Sequence, residues 1–173
     1  MPYPSSVDAN QIQPWIISND PASLAGAVTV TLVANQVYLY AFELPASVTF
    51  TGAKWRMGAT ATGTTDLGIY DANGNLLGHT GAITNTASTN MSNAFTGGNL
   101  QLAAGQYFMA MVPSNSTDTY LAAGSASTLT GTTRFRSGTT AGTAGVLPNT
   151  TGGYTDAISR APAMALTNLN GLT

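Results

Sequence analysis

Short runs of alternating apolar and polar residues, each bounded by turn-forming residues, most constrain how this chain folds. The runs VYLYAFEL (37–44) and SVTFTGAKWRMGAT (47–60) carry large apolar side chains at alternate positions. Such alternation, rich in aromatic and β-branched residues, predicts half-buried β-strands. In the second run Trp55 faces the predicted core, whereas Lys54 and Arg56 face away from it. No stretch of useful length shows the apolar face of a helix, so the sequence predicts an all-β fold.

Further strand patterns follow at short intervals along the rest of the chain. They lie at residues 28–33, 65–71, 75–80, 99–112, 119–124, 132–137 and 161–169. The run NLQLAAGQYFMAMV (99–112) is interpreted as a hairpin that bends at Ala104 and Gly105. The long polar stretches are predicted to be loops, at 81–99, 113–131 and 137–155. About eight short strands with this spacing predict an antiparallel β-sandwich of jelly-roll type.

The chain divides into a proline-rich start and a strand-rich remainder. Its 173 residues suit one folded domain, since domains commonly hold about 100–200 residues. Residues 1–27 hold four of the eight prolines and show no sustained hydrophobic period. We therefore expect an extended N-terminal arm over residues 1–27 and a β-sandwich domain over residues 28–173.

Composition and charge argue against several classes of partner. Charged residues make up 7% of the chain, against about 25% in an average soluble domain. Five basic residues and a net charge of −2 give no patch for a row of phosphates, so we expect no nucleic acid partner. The absence of cysteine excludes disulfides and thiolate sites. No signal peptide or membrane-spanning run is found, and we expect no membrane partner.

The stretch DLGIYDANGNLLGHTG (66–81) poses the choice between a metal site and a turn. Asp71, Asn73 and Asn75 resemble the first half of a calcium loop, but the twelfth position, which requires a Glu, is Ala82. Asn-Gly between apolar runs is instead a strong hairpin signal, and Asp71 is suited to accept hydrogen bonds from the turn amides. The sequence predicts a structural hairpin turn and no metal.

No catalytic constellation emerges from the sequence. His79 is the single histidine and Glu43 the single glutamate, and no G-x-S-x-G elbow is present to expose a nucleophile. A Ser-His-Asp arrangement remains open, because its members need not be close in sequence. A lone histidine on a hairpin is more often a surface or lightly buried residue. We therefore expect no enzyme and no cofactor.

The aromatic residues allow two interpretations. Trp55 and several tyrosines would form a sugar-stacking platform if exposed, but Trp55 occupies an inward strand position and is predicted to belong to the core. Trp15 differs, because it precedes the predicted sandwich and is followed by Ile16 and Ile17. An apolar cluster on an arm needs a surface on which to bury itself, either on its own sandwich or on a neighbouring subunit.

The order of motifs resembles small β-sandwich structural proteins of tailed bacteriophages. The resemblance is carried by three segments: ANQVYLYAFELPASVTFTGAKWRMGATATGTTDLGIYDANGNLLGHTG, LQLAAGQYFMAMV and RAPAMAL. Together they cover roughly residues 34 to 170, most of the chain. The first segment holds an opening strand that ends in Leu-Pro and the YDANGNLL hairpin. Some carbohydrate-binding sandwiches match the second segment equally well.

The resemblance implies a non-catalytic virion component, made in the bacterial cytoplasm and located on the capsid surface. The absence of heptads or fibre repeats favours a decoration (cement) protein that binds the assembled head over a fibre or receptor-binding domain. The expected partners are the major capsid protein and neighbouring copies of the chain, for example in a homotrimer. The candidate interface residues lie in the arm: Tyr3, Trp15, Ile16 and Ile17. A carbohydrate-binding module that binds a glycan is the alternative from another class.

Overall fold

The computed structural model describes residues 25–123, 135–141, 143, 145–152, 154–156 and 162–168. These residues form thirteen β-strands and no helix. The strands are β1 (Ala25–Thr31), β2 (Gln36–Leu44), β3 (Val48–Arg56), β4 (Thr64–Asp71), β5 (Leu76–His79), β6 (Ile83–Thr84), β7 (Asn90–Ala94), β8 (Leu100–Leu102), β9 (Gly105–Pro113), β10 (Thr119–Ala123), β11 (Phe135–Ala141), β12 (Tyr154–Asp156) and β13 (Met164–Asn168). The all-β prediction is therefore confirmed.

Two large antiparallel sheets pack against each other. The seven-stranded sheet has the order β12-β11-β2-β9-β4-β5, with β6 also paired to β4. The four-stranded sheet has the order β13-β3-β7, with β8 also paired to β3. β1 and β10 form a separate pair, which joins the second sheet through bridges from Tyr120 to Met57 and from Ala122 to Pro162. The predicted antiparallel β-sandwich is confirmed.

The main core lies between the two large sheets and follows the alternation in the sequence. Tyr38, Tyr40, Phe42 and Leu44 of β2 all point into it. From the facing sheet, Trp55 enters the same core and is completely buried. Each large buried side chain contributes about 1.5–3 kcal/mol relative to exposure, so this layer supplies the main driving force for the fold.

A second apolar cluster lies on the outer face of the seven-stranded sheet. It comprises Val37, Leu39, Tyr70, Ala110, Val112 and Leu147. Leu147 belongs to a segment, residues 145–152, that crosses this face, and we call it the covering segment. Hydrogen bonds fix it at both ends, from the Gly145 amide to Asn35 Oδ1 (2.9 Å) and from the Thr151 amide to the Gly74 carbonyl (2.9 Å). The sheet is thus buried on both faces along this segment.

Several sequence predictions about strands and loops are wrong, and parts of the predicted loop 137–155 belong to strands β11 and β12. Residues 99–112 are not a hairpin, because β8 pairs with β3 whereas β9 pairs with β2 and β4. The chain instead crosses between the sheets at residues 103–104. The small residues of this Ala-Ala-Gly bend suit a hairpin turn and a crossover equally well, so the sequence does not distinguish the two connections. Part of the predicted loop 81–99 is strand β7, which pairs with β3 along Asn90–Ala94. β7 is an edge strand with one side facing solvent, and its polar composition therefore resembles that of a loop.

The chain protects the edge strand β5 with its own loops. The Leu76 amide donates to the Asn149 carbonyl at 2.8 Å, and the His79 carbonyl accepts from the Thr96 amide at 2.8 Å. Unpaired edge groups are templates for aggregation, so these contacts close the edge. At the other end of the chain, β1 begins at Ala25, inside the predicted 1–27 arm, and residues 1–24 lie outside the described residues. In the described part, no helix is long and apolar enough to cross a membrane.

Candidate functional site

The predicted interface residues of the arm cannot be compared with the structure. Tyr3, Trp15, Ile16 and Ile17 all lie outside the described residues, so their role remains a prediction. The structure describes two other sets of charged side chains. Three carboxylates form hydrogen bonds with their own chain, and two further charged side chains form none with the described residues.

Asp71 closes the turn between β4 and β5, as the sequence predicted. Its Oδ1 accepts hydrogen bonds from the amides of Asn73 (2.8 Å) and Asn75 (2.9 Å), and its Oδ2 accepts from the Asn75 side-chain amide (2.8 Å). The Asn75 bonds lower the pKa of Asp71 most, and those from Asn73 and Gly74 add to the effect. Gly74 adopts a φ of +83°, which favours glycine. The hairpin prediction is confirmed.

Asp118 is a buried carboxylate at the end of the sandwich, with 1% of its surface exposed. It accepts hydrogen bonds from the amides of Thr62 (2.7 Å) and Gly63 (3.2 Å) and from the side-chain amides of Asn115 (3.2 Å) and Asn85 (2.7 Å). Burial raises the pKa of Asp118, but these hydrogen bonds outweigh burial and leave the pKa below its ordinary value. Asp118 therefore holds the 60–63 loop as a carboxylate.

Asn85 extends this network into the core. Its Nδ2 donates to Thr65 Oγ1 at 2.8 Å as well as to Asp118, and its Oδ1 accepts from Trp55 Nε1 at 3.4 Å. Thr65 and Tyr120 share a hydrogen bond of 2.7 Å between their hydroxyl groups. Burial raises the pKa of Tyr120 to about 12. The network therefore satisfies polar groups that would otherwise be costly in the core.

Asp66 forms a third cluster, on the outer face of the seven-stranded sheet and beneath the covering segment. It is completely buried, and its Oδ2 lies 2.7 Å from His79 Nδ1 and 2.9 Å from the Leu147 amide that donates to it. Its Oδ1 accepts from the Thr80 hydroxyl at 3.1 Å. The His79 side chain is 26% exposed, in agreement with the expected lightly buried histidine. Asp66 thus ties β4, β5 and the covering segment together.

The Asp66–His79 contact has the geometry of the orienting half of a catalytic triad. A nucleophile must also lie within hydrogen-bond distance of the second ring nitrogen of the histidine. Among the described residues, no hydroxyl group makes that contact, and the Thr80 hydroxyl instead bonds to Asp66. The described residues also contain no group of three or more His, Asp or Glu side chains able to hold a metal ion. The hydrogen bond from the Leu147 amide to Asp66 instead holds the covering segment in place.

Most of the described aromatic side chains proposed as a sugar platform are buried. Trp55, Tyr40 and Tyr70 are completely buried, and Tyr38 is 6% exposed. Tyr107 is partly buried and packs on Phe42, with ring centroids 5.8 Å apart. The prediction that Trp55 belongs to the core is confirmed. Trp15 lies outside the described residues.

Two charged side chains remain without partners in the part of the chain that the structure describes. Arg56, the last residue of β3, has a buried Nε with no hydrogen-bond partner. Glu43 of β2 is exposed and makes no hydrogen bond or ion pair with a described residue. Strand alternation in the sequence places both charges outward but does not show what they contact.

The fold and these clusters define a class, an all-β antiparallel sandwich whose buried carboxylates hold its own loops. No protein-family model matches the chain, and no curated protein or solved structure is significantly similar to it.

Proposed function

We propose that this protein is a non-catalytic virion component of a tailed bacteriophage, a decoration protein that binds the assembled head and stabilises it. The motifs that resemble such proteins support this proposal, and the antiparallel sandwich is the fold that the resemblance implies. A protein that binds only the assembled shell adds its binding free energy to the stability of that shell.

The observation that carries the proposal is how the chain uses its carboxylates. Asp66, Asp71 and Asp118 each make at least three hydrogen bonds with their own chain. Carboxylates that act as general acids, bases or metal ligands must instead present an oxygen to a ligand. Polar groups that hold loops in place are what a rigid structural module requires.

The alternatives differ in what they need from the surface. A glycan-binding module needs exposed aromatic rings, whereas Trp55 and Tyr70 are completely buried. The sandwich fold is equally compatible with a fibre or receptor-binding domain. Such a domain would be present in fewer copies per particle than a decoration protein. Large apolar anchors tend to dominate the energy of interfaces. The proposed contacts with the shell are the four arm residues Tyr3, Trp15, Ile16 and Ile17.

The copy number in purified particles tests this proposal. Quantitative mass spectrometry would measure this protein relative to the major capsid protein. We expect hundreds of copies per particle. A handful of copies would favour the fibre or tail position, and absence from particles would overturn the virion assignment.

A variant of the arm then tests the interface. We expect Trp15→Ala combined with Ile16→Ala and Ile17→Ala to abolish binding to heads that lack the protein. The matched control is Gln11→Ala with Gln13→Ala, which alters polar residues of the same arm and should still bind. Full binding by the triple variant would contradict the placement of the interface in the arm.

A further inference from the structure

The turn between β4 and β5 presents an Asn-Gly step to solvent. Asn73 is exposed, and its side chain makes no hydrogen bond with the described residues. Gly74 follows it directly. In such a step the backbone nitrogen of the glycine attacks the asparagine side chain readily, because the glycine has no side chain to hinder the approach. The exposed turn therefore contains both reactants of a spontaneous covalent modification, the deamidation of Asn73.

Deamidation needs no enzyme, and water is its only co-reactant. The Gly74 nitrogen attacks the side-chain carbonyl carbon of Asn73 and closes a cyclic imide. The side-chain nitrogen of Asn73 leaves as ammonia and takes the proton of the Gly74 amide with it. Water then opens the ring at either carbonyl, which leaves aspartate or isoaspartate at position 73. Nothing is oxidised or reduced, and either product places a new carboxylate in the turn.

Hydrogen bonds of the folded turn oppose the first step. The Gly74 amide donates to the Asp71 carbonyl at 3.1 Å, so the attacking nitrogen is already engaged. Asp71 Oδ1 accepts from the amides of Asn73 (2.8 Å) and Asn75 (2.9 Å), on either side of Gly74. Ring closure requires the backbone of Asn73 to rotate, and these bonds hold it. The reaction therefore proceeds from a locally opened turn, and Asp71 limits how often the turn opens.

The covering segment is attached to the same glycine. Thr151 donates to the Gly74 carbonyl from its amide at 2.9 Å and from its hydroxyl at 3.2 Å. Asn75 forms a further antiparallel bridge with Thr150. Gly74 is buried, whereas Asn73 beside it is exposed. The backbone of Gly74 therefore joins the reactive turn to one end of the covering segment.

We propose that Asn73 is a site of spontaneous deamidation that Asp71 slows, and that isoaspartate at this position releases the Gly74 end of the covering segment. Isoaspartate routes the backbone through the former side chain and inserts a carbon atom between residues 73 and 74. The amides of residues 73 and 75 then no longer fit the same Asp71 oxygen. The new carboxylate also lies close to that of Asp71, and like charges repel. This inference goes beyond the proposed function and does not depend on it.

Ageing of the full chain at mildly alkaline pH, followed by peptide mapping with mass spectrometry, tests the protection by Asp71. Trypsin separates Asn73 from the other Asn-Gly step of the chain, at residues 170–171, because it cleaves after Arg134 and Arg160. We expect Asp71→Ala to be modified at Asn73 at least about tenfold faster than the wild type, because the rate follows the population of the opened turn. The wild type unfolded in guanidinium chloride should react faster still.

Two matched variants locate the effect. Asp118→Asn alters a carboxylate that holds a different loop, so its rate at Asn73 should equal that of the folded wild type. Asn73→Gln lengthens the side chain, which disfavours ring closure, and should remove the modification at this position. Circular dichroism would confirm that each variant is folded. Equal rates for the wild type and Asp71→Ala, or a folded wild type that reacts as fast as the unfolded chain, would overturn the protective role.

Hydrogen exchange at the Thr151 amide tests the consequence for the covering segment. The isoaspartate form, separated by ion-exchange chromatography, should exchange at Thr151 at least about tenfold faster than the wild type. Asn73→Asp is the matched control, since it adds the same charge without the extra backbone carbon, and its effect should be much smaller. Unchanged exchange at Thr151 in the isoaspartate form, or an equal effect of Asn73→Asp, would overturn this part. Presence in or absence from virions does not affect these outcomes.

Discussion

Asp71 and Asp118 each hold a loop in place, but Asp71 is partly exposed whereas Asp118 is buried. Each accepts several hydrogen bonds from its own chain and thereby fixes a loop. Asp71 stands at a hairpin tip and is partly exposed, whereas Asp118 is 1% exposed. When a carboxylate is removed, water can replace it at the surface but not in the interior. Similar bonding patterns should therefore contribute very differently to stability.

Replacement of Asp118 by alanine should have the largest effect. It would leave the amides of Thr62 and Gly63 and the side chain of Asn85 without an acceptor inside the protein. We expect a loss of about 3–5 kcal/mol in the free energy of unfolding, measured by urea denaturation. Asp118→Asn keeps one oxygen acceptor and should lose less. A loss below about 1 kcal/mol for the alanine variant would mean that water already reaches this site.

Asp66→Ala extends the comparison to a carboxylate that holds a segment of the chain across a sheet. The change removes the acceptor of the Leu147 amide and of the Thr80 hydroxyl, and we expect a loss of about 2–4 kcal/mol. Amide hydrogen exchange at Leu147 should also become faster. His79→Ala is the control, because it removes another partner of Asp66 and leaves the Leu147 hydrogen bond in place. Unchanged exchange at Leu147 in Asp66→Ala would refute the role assigned to Asp66.

The distance in sequence between partners explains which of these carboxylates could be predicted. The partners of Asp71 are two and four residues away, so the pattern DANGN contains the whole turn. Asp118 binds Thr62, 56 residues away, and Asp66 binds Leu147, 81 residues away. Contacts over such distances follow from sheet packing, and a single sequence carries no local signal for them.

The same reasoning applies to the fold. Strands β2 and β4 were predicted within a residue or two of their bounds, and β3 was predicted four residues too long at its end, because a period of two is a local property. The pairing of β8 with β3 was missed, since the residues of a tight bend do not determine which sheet receives each strand. The sequence also did not show that the Arg56 Nε lacks a hydrogen-bond partner among the described residues, because its neighbours lie on three different strands.

Gly74→Ala probes the exposed turn through its backbone. A side chain at a φ of +83° costs about 1–2 kcal/mol, and the new methyl group would also collide with the Thr151 hydroxyl. We therefore expect a loss of that order in the free energy of unfolding, smaller than for either buried aspartate. Gly97→Ala is the matched control, since nothing lies within 4 Å of its added carbon, and it should be close to neutral. Equal effects of the two substitutions would show that the turn is not constrained.

The dependence of stability on pH gives the finest test of the comparison. The pKa values of both Asp71 and Asp118 lie below the ordinary value of 3.8 in the folded protein. A lowered pKa means that the folded state favours the carboxylate, so each group stabilises the fold above pH 3.8. That stabilisation is lost as the pH falls through the lowered pKa. Stability should therefore decrease in acid.

Asparagine at each position removes the proton-linked part of this stabilisation. The difference in unfolding free energy between the wild type and Asp118→Asn should be largest near neutral pH and should shrink as the pH falls below 3.8. Asp71→Asn should follow the same trend with a smaller amplitude, because solvent screens the exposed group. Urea denaturation at a series of pH values measures both differences. Curves of equal amplitude would mean that burial does not separate the two carboxylates, and the contrast between interior and surface would then fail.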